Sequence, residues 1–207
     1  MKIICIGRNY AEHAKELNNP VPGKPVVFMK PATALLVNDK PFYYPEFSKE
    51  IHHEIEVVLR ICKNGRHVQR EFASAYYDQI ALGIDFTARD VQDELKKKGH
   101  PWEIAKAFDD SAVLSPFVPI DQVDPKAIRF ELRKNGHAVQ QGNTSDLLFP
   151  FEDIIVHVSQ YFKLQVGDLI YTGTPAGVGP VQIGDMLEGV LFLRSGEERQ
   201  MFMCEVK

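Results

Sequence analysis

Two glutamates one residue apart, Glu54 and Glu56, interrupt an apolar strand pattern, and a third acid, Asp85, sits in an equally apolar run downstream. Few features restrict a fold more than carboxylates inside strands that have to be buried. From Ile51 to Ile61, alternation turns Ile51, His53, Ile55, Val57, Leu59 and Ile61 to one face and His52, Glu54, Glu56, Val58 and Arg60 to the other. Neighbours on one face of a strand lie ~6–7 Å apart. Two anions at that spacing repel, and a third in Ala81-Leu82-Gly83-Ile84-Asp85-Phe86 is costly to bury alone. Glu-x-Glu by itself also suits the solvated face of a half-buried sheet. Asp85 tips the reading, because carboxylates are seldom fully buried without a partner. The three are expected to share one divalent cation, and oxygen donors favour Mg²⁺, Mn²⁺ or Ca²⁺ over zinc.

The flanking pattern is one of short strands and turns. Met1 to Gly7 reads as a first strand, Asn9 to Leu17 as a short helix, and Asn18 to Pro25 as an irregular loop with three prolines and a glycine. Glu54 to Ile61 and Tyr76 to Ala88 read as strands. Asn64-Gly65 and Asn135-Gly136 both read as hairpin turns. Helices are expected over Arg89 to Lys98, stopped by Gly99, and over Phe151 to Phe162, where Ile154, Ile155, Val158 and Tyr161 keep a helical period. Many short strands with two or three helices argue against a doubly wound sheet and for an α+β, mainly-β roll or sandwich. No repeat or linker divides the 207 residues, so one domain over 1–207 is expected.

Charge narrows the function classes. With 24 basic and 28 acidic residues interspersed, the formal net charge of −4 offers no stripe for nucleic acid and no polybasic membrane anchor. Lys96-Lys97-Lys98, the one cationic run, reads as the solvated face of a helix. Cys5, Cys62 and Cys204 stand apart among apolar residues and read as core thiols rather than a disulfide framework or a zinc site. The opening residues do not resemble a signal peptide, so a cytoplasmic protein is expected.

Several polar residues near the acids invite chemistry. His13 and Glu16 share one side of a short helix, where a carboxylate can orient an imidazole, although that spacing is also common on helix surfaces. Lys106 lies in the apolar run Ile104-Ala105-Lys106-Ala107-Phe108, and a lysine there usually snorkels its ammonium to water. A Schiff-base role is the rival idea, disfavoured where a metal already serves as electron sink. Arg8 and Arg89 suit carboxylate recognition. Arg89 could equally brace Asp90 or Asp93, and Gln92, one turn into that helix, is placed to face a pocket. The glycines of Thr172 to Gly179 permit close backbone approach to a ligand, but the segment lacks the Lys-Ser/Thr ending of a P-loop. His53 falls on the apolar face and reads as a hydrogen-bonded core residue, whereas His52 shares the face of the acids.

Five segments occur in one order: Gly7 to Glu16, His52 to Glu56, Asp85 to Asp90, Ala105 to Phe108, and Thr172 to Gly179. Together they resemble the fumarylacetoacetate hydrolase family, in particular its short acylpyruvase/oxaloacetate decarboxylase branch, from about Cys5 onward. The resemblance implies mixed sheets rolled around a metal held by Glu54, Glu56 and Asp85, with Mg²⁺ (or Mn²⁺) as cofactor. It implies a His13–Glu16 dyad that positions water; the dyad's place before the proline-rich loop implies a lid over about His13 to Gly23, poorly ordered or open without substrate. It gives Lys106 the role of neutralising a carboxylate or oxyanion, and Arg8 and Thr174 contacts to a substrate carboxylate. Arg89 and Gln92 join them as candidate substrate contacts. A homodimer is implied as well. The expected activity is cleavage of a C–C bond in a small anionic 2-oxoacid through pyruvate enolate, by acylpyruvate hydrolysis, oxaloacetate decarboxylation or both. The alternatives are an isomerase or decarboxylase of a 2-hydroxydienedioate, and a metal-stabilised binding protein without catalysis.

Overall fold

The computed structural model describes residues 1–16 and 20–207. Strands β1 (Ile3–Gly7), β2 (Val26–Lys30) and β3 (Leu35–Val37) come first. They are followed by β4 (Ile51–His53), β5 (Ile55–Ile61), β6 (Tyr77–Asp85), β7 (Thr87–Ala88), β8 (Ala112–Leu114) and β9 (Val118–Pro119). The hairpin β10 (Arg129–Lys134) and β11 (His137–Asn143) precedes β12 (Leu169–Tyr171), β13 (Gly179–Pro180), β14 (Met186–Phe192) and β15 (Glu198–Glu205). The helices are α1 (Ala11–Glu16), α2 (Arg70–Ala73), α3 (Arg89–Lys98), α4 (Glu103–Lys106) and α5 (Phe151–Tyr161).

The main sheet runs β2-β1-β12-β5-β6-β8-β3, with β9 also on β6. It is mixed: β1 with β12 and β3 with β8 are parallel, and the remaining pairs are antiparallel. A second sheet, β11-β10-β14-β15, and a small one, β13-β4-β7, complete a mainly-β fold with a curled half-barrel and few short helices, as expected.

Alternation sorts the main sheet into two buried faces. Ile4, Ile6, Ile55, Val57, Leu59, Ile80, Leu82 and Ile84 pack with α5 and the second sheet in the larger cluster. Ile3, Cys5, Val58, Ala81, Ala112, Leu169 and Tyr171 form the smaller cluster on the opposite face. Both faces are therefore covered, and the face of Glu56 and Val58 is not a solvated one. Cys5 and Cys204 are buried and Cys62 is half-buried, all three as free thiols.

Helix α3 ends where Gly99 takes a left-handed φ of 66°. Asn135 and Gly136, both at positive φ, close the β10–β11 hairpin. Asn64-Gly65 departs from expectation. The Gly65 backbone exchanges hydrogen bonds with Leu164, and the Asn64 side chain accepts from the Val166 amide, so this pair ties two distant segments instead of turning a hairpin. The strand expected from Glu54 starts at Ile55, because Glu54 separates β4 from β5. The run from Tyr76 to Ala88 likewise divides at Phe86 into β6 and β7. No helix among the described residues is long and apolar enough to cross a membrane.

Candidate active site

The β5–β6 register assembles the acids. Glu56 stands opposite Gly83, which places Asp85 two residues further along the same face, and the Asp85 amide donates to the Glu54 carbonyl at 2.8 Å. Carboxylate oxygens of Glu54, Glu56 and Asp85 lie within 4.8 Å of one another, and all three residues are buried. Arg8, His13, Glu54, Glu56, Asp85, Arg89, Gln92, Lys106 and Thr174 line one cavity. Glu16 reaches it through His13, whose Nδ1 is 3.4 Å from Glu16 Oε2. Nine residues from the five ordered segments, with Gln92 just beyond the third, thus meet at one place.

Each acid has a different environment. Lys106 Nζ donates to Glu54 Oε2 at 2.7 Å, Asp85 Oδ2 at 2.6 Å and the Thr87 hydroxyl at 2.6 Å. This ammonium is buried rather than snorkelled. Burial pushes its pKa down, but Asp85 and Glu54 raise it above the ordinary lysine value overall. Arg89 also hydrogen-bonds Glu54 and holds Gln92 Oε1 at 2.7 Å, so its charge is committed to Glu54 rather than to Asp90 or Asp93. Burial raises the Glu54 pKa, yet Lys106 and Arg89 outweigh it and hold the carboxyl well below its usual range.

Glu56 has no such cation. Among the described residues its Oε2 accepts only from the Gly173 amide, at 2.6 Å, and burial followed by the charge of Asp85 pushes its pKa well up. Lys30 Nζ lies 2.8 Å from Asp85 Oδ1 but outside hydrogen-bonding direction, so that buried oxygen accepts no hydrogen bond. An uncompensated carboxyl beside an orphaned carboxylate oxygen, all donors hard, is a set that fits a small divalent cation.

Positioning comes from irregular backbone. Arg8 leaves β1 at a φ of 59°, a conformation rare outside glycine, and this turns its side chain into the cavity. Asn9, fully buried, donates to the Phe149 and Thr172 carbonyls at 3.0 and 2.8 Å and accepts from the Phe149 amide at 2.8 Å. Gly173 takes a φ of 108°, and a Cβ there would sit 2.7 Å from that of Asn9. Gln140 Nε2 donates to the Thr174 hydroxyl and the Pro175 carbonyl, and its Oε1 meets His53 Nδ1 and the Ile55 amide. His53 is therefore the core residue expected. His52 turns away to Glu50, 2.9 Å from its Nε2, and does not line the cavity.

At residues 13–16 the structure holds the closed arrangement of the expected lid. His13 is buried in α1, and the Gly177 amide donates to both Glu16 carboxylate oxygens at 3.1 and 3.2 Å, so α1 is closed on the glycine loop. Leu17 to Asn19, the middle of that expected lid, lie outside the described residues. The cavity holds about 30 Å³, space enough for an ion or a water.

Several lining or supporting residues escaped the sequence reading, Asn9, Thr87 and Gln140 among them. Lys30 is buried at the end of β2 under Asp85, bonded to the Ser111 hydroxyl at 2.9 Å and to the Lys106 carbonyl. Its signal, a lysine closing the apolar run Val26 to Met29, is the one Lys106 also carried. Phe28 and Trp102 form an aromatic wall, with ring centroids 6.1 Å apart. Lys96 lines the cavity too, so only Lys97 and Lys98 of the cationic run are fully exposed. It stands seven residues after Arg89 and four after Gln92, a spacing that keeps all three on one helical face.

The chain is 43% identical over 205 residues to "Oxaloacetate tautomerase FAHD1, mitochondrial" of Rattus norvegicus, covering 97% of this chain and 93% of the relative. It is 42% identical over 188 residues to "Oxaloacetate tautomerase YcgM" of Escherichia coli K12, covering 90% and 86%. Among solved structures, fumarylpyruvate hydrolase from Pseudomonas aeruginosa in complex with Mn²⁺ and pyruvate is similar with a TM-score of 0.91 and 34% identity. That match covers 100% of this chain and 89% of the other. Residues 2–203 match the family described as "Fumarylacetoacetate (FAA) hydrolase C-terminal". With its five ordered segments meeting in one cavity, the chain belongs to the fumarylacetoacetate hydrolase family.

Proposed function

We propose that the protein is a divalent-metal-dependent enzyme that cleaves a C–C bond in a small 2-oxoacid through pyruvate enolate, by acylpyruvate hydrolysis, oxaloacetate decarboxylation or both. One observation carries this reading: the acidic triad and the His13–Glu16 dyad open on the same cavity. The Pseudomonas hydrolase, crystallised with Mn²⁺ and pyruvate, lends further support, since pyruvate is the product common to both reactions. Glu54, Glu56 and Asp85 are the proposed ligands of Mg²⁺ or Mn²⁺. When bound, such a cation supplies Lewis-acid stabilisation of negative charge on the 2-oxo oxygen.

The chain's own residues do the rest. Arg8 and Thr174 hold the carboxylate beside the 2-oxo group, and Lys106 sets a positive charge beside the developing oxyanion. With its Nδ1 proton directed to Glu16, His13 presents Nε2 as a base. Burial lowers the His13 pKa against the pull of Glu54 and Glu16, which keeps the imidazole neutral near pH 7. In hydrolysis Nε2 takes a proton from water, and the water oxygen adds to the distal acyl carbonyl. The bond from that carbon to C3 then breaks, its electron pair passes into pyruvate enolate, and the proton returns from His13 to C3. Decarboxylation breaks the C3–C4 bond without a nucleophilic water and releases CO₂, and the enolate left behind takes its C3 proton from solvent.

The relatives' names favour a second reading, keto–enol interconversion of oxaloacetate. That reaction needs the same stabilised enolate and a base at C3 but no nucleophilic water. The deciding experiment assays oxaloacetate, acetylpyruvate and fumarylpyruvate with Mn²⁺, Mg²⁺ or chelator, following both pyruvate and the enol absorbance. Pyruvate from the acylpyruvates supports the hydrolase. Enol decay without pyruvate supports the tautomerase alone. Turnover restricted to a 2-hydroxydienedioate would support an isomerase, and no turnover with any metal would leave a binding protein.

A further inference from the structure

The cations around the cavity are unequally engaged. Lys106 and Arg89 are bonded to Glu54, and Lys106 and Lys30 lie against Asp85. Among the described residues Arg8 makes no ion pair, and Lys96 has only Asp93 at 3.9 Å, a half-exposed neighbour at the limit of contact. Both line the cavity. The proposed function uses Arg8 for the carboxylate next to the 2-oxo group, which leaves Lys96 over.

The fold holds Lys96 there on purpose-built support. Gly99 ends α3 directly after the lysine run, and the chain turns through His100 and Pro101 so that Trp102 comes back against the helix. Lys96 Nζ lies 5.8 Å from the centre of the Trp102 ring, and Trp102 meets Phe28, over which Lys106 Nζ lies at 5.2 Å. The aromatic pair thus has one ammonium at the acidic centre and another further along α3. Arg89 is tied to Glu54, and among the described residues no carboxylate but Asp93, at the limit of contact, pairs with Lys96, so an ammonium that lines the cavity is left short of an anionic partner. An anionic ligand in the cavity would supply one.

We propose that Lys96 receives the second carboxylate of the substrate, so that this chain selects short 2-oxo-dicarboxylates over 2-oxo-monocarboxylates of equal length. The proposal rests on the metal-centred reading of the cavity and adds to it the chemical class of the distal group. Phe28 and Trp102 form the wall along which the carbon chain lies, and Lys96 reads its far end.

The test is equilibrium binding to the Mn²⁺-loaded protein by calorimetry with three stable probes: oxalate, 2-oxoglutarate and 2-oxovalerate. The last two share a five-carbon chain and differ only in the terminal carboxylate. The unchanged protein is expected to bind 2-oxoglutarate at least tenfold more tightly than 2-oxovalerate. Lys96→Met, which keeps an apolar stem against Trp102, is expected to reduce that preference by roughly tenfold to a hundredfold, the range of a lost charge-assisted hydrogen bond. Lys96→Arg should restore most of it, and Lys96→Glu should invert it. A folded Lys96→Met protein that keeps the preference overturns the proposal, as does equal or tighter binding of 2-oxovalerate by the unchanged protein. Loss of both probes in equal measure in Lys96→Met, without rescue by Lys96→Arg, overturns it as well by making Lys96 structural. Oxalate, which has no carboxylate beyond its metal-chelating pair, separates the two levels. If it fails to bind the unchanged protein in a Mn²⁺-dependent way, the metal-centred reading falls and this proposal with it.

Discussion

At the scale of single residues, the carboxylates were legible because buried charge contradicts its surroundings. Glu56 and Asp85 border the runs Val57 to Leu59 and Ile80 to Ile84, which are apolar on both faces, and such a mismatch needs a partner. Lysines carry a weaker signal, since a long stem lets the ammonium reach water from an apolar run. Lys30 was missed for that reason and Lys96 because it stands in a cationic run that suits a solvated face, while Lys106 was identified only through the segments around it. His13→Ala is expected to cost acylpyruvate hydrolysis about 10²–10⁴-fold, the usual loss of a general base, and to cost decarboxylation much less. Parallel assays of pyruvate from acetylpyruvate and oxaloacetate check this; equal losses would make His13 a substrate-positioning group. Because burial lowers the His13 pKa, the base is in its active neutral form at lower pH than an ordinary histidine. The acid limb of kcat/KM for hydrolysis should therefore fall below pH ~6.5, the ordinary histidine value. A limb well above that value would contradict the assignment. Glu56→Gln replaces the one acid without a cationic partner by a neutral group of the same shape. It should leave the metal-free protein as stable as before while weakening Mn²⁺ binding at least tenfold, measured by calorimetry.

At the scale of elements, two Asn-Gly pairs with the same local signal met different fates. Asn135-Gly136 is free to take two positive φ values between strands that pair only with each other and their neighbours. Gly65 instead keeps a β-carbon's space clear for the ring of Tyr76, whose atoms would overlap a Cβ placed there. Long-range packing of this kind leaves no mark within the dipeptide. Helix α3 was legible along its whole length because its charge pattern, its terminal lysines and Gly99 all agree. The closing of α1 on the glycine loop was not, because it depends on a backbone amide, Gly177, that lies 161 residues away from Glu16. Gly173 joins both kinds of constraint, a left-handed φ and a donor to Glu56. Gly173→Ala should destabilise the fold by about 1–3 kcal/mol through strain alone and lower metal affinity by displacing that donor. A denaturation midpoint unchanged from the parent protein would refute the first half.

At the scale of the whole molecule, the larger hydrophobic cluster runs from Ile4 to Val206 through both principal sheets. We propose that residues 1–207 unfold as one domain, with coincident transitions by fluorescence and circular dichroism; two separated transitions would divide it. We also propose a homodimer. Phe47 and Ile104, each more than half exposed, flank a groove that Met29, Val91 and Phe108 also line. Ile104 lies in α4, the helix that carries Lys106, so a partner seated on this groove would brace the ammonium at the acidic centre. Sedimentation at micromolar concentration should give twice the mass of the chain, and Ile104→Asp should shift it toward the monomer; a monomeric parent protein would sink the idea.

The place of β1 in the sheet has a temporal consequence. Its parallel partner β12 begins 166 residues later, with Ile3 opposite Leu169, and Asn9 waits for the carbonyl of Thr172. At ribosomal rates of roughly 5–20 residues per second, the first strand leaves the tunnel on the order of ten seconds or more before its neighbour exists. Until then Ile3, Ile4, Cys5 and Ile6 have no parallel edge to join, and the backbone of Arg8 has nothing to hold its unusual turn. The cavity can therefore close only near the end of synthesis, through contacts of long sequence separation that form slowly. Nascent chains halted before residue 169 should be sensitive to protease at their first strand, and should become resistant in one step once β12 has emerged.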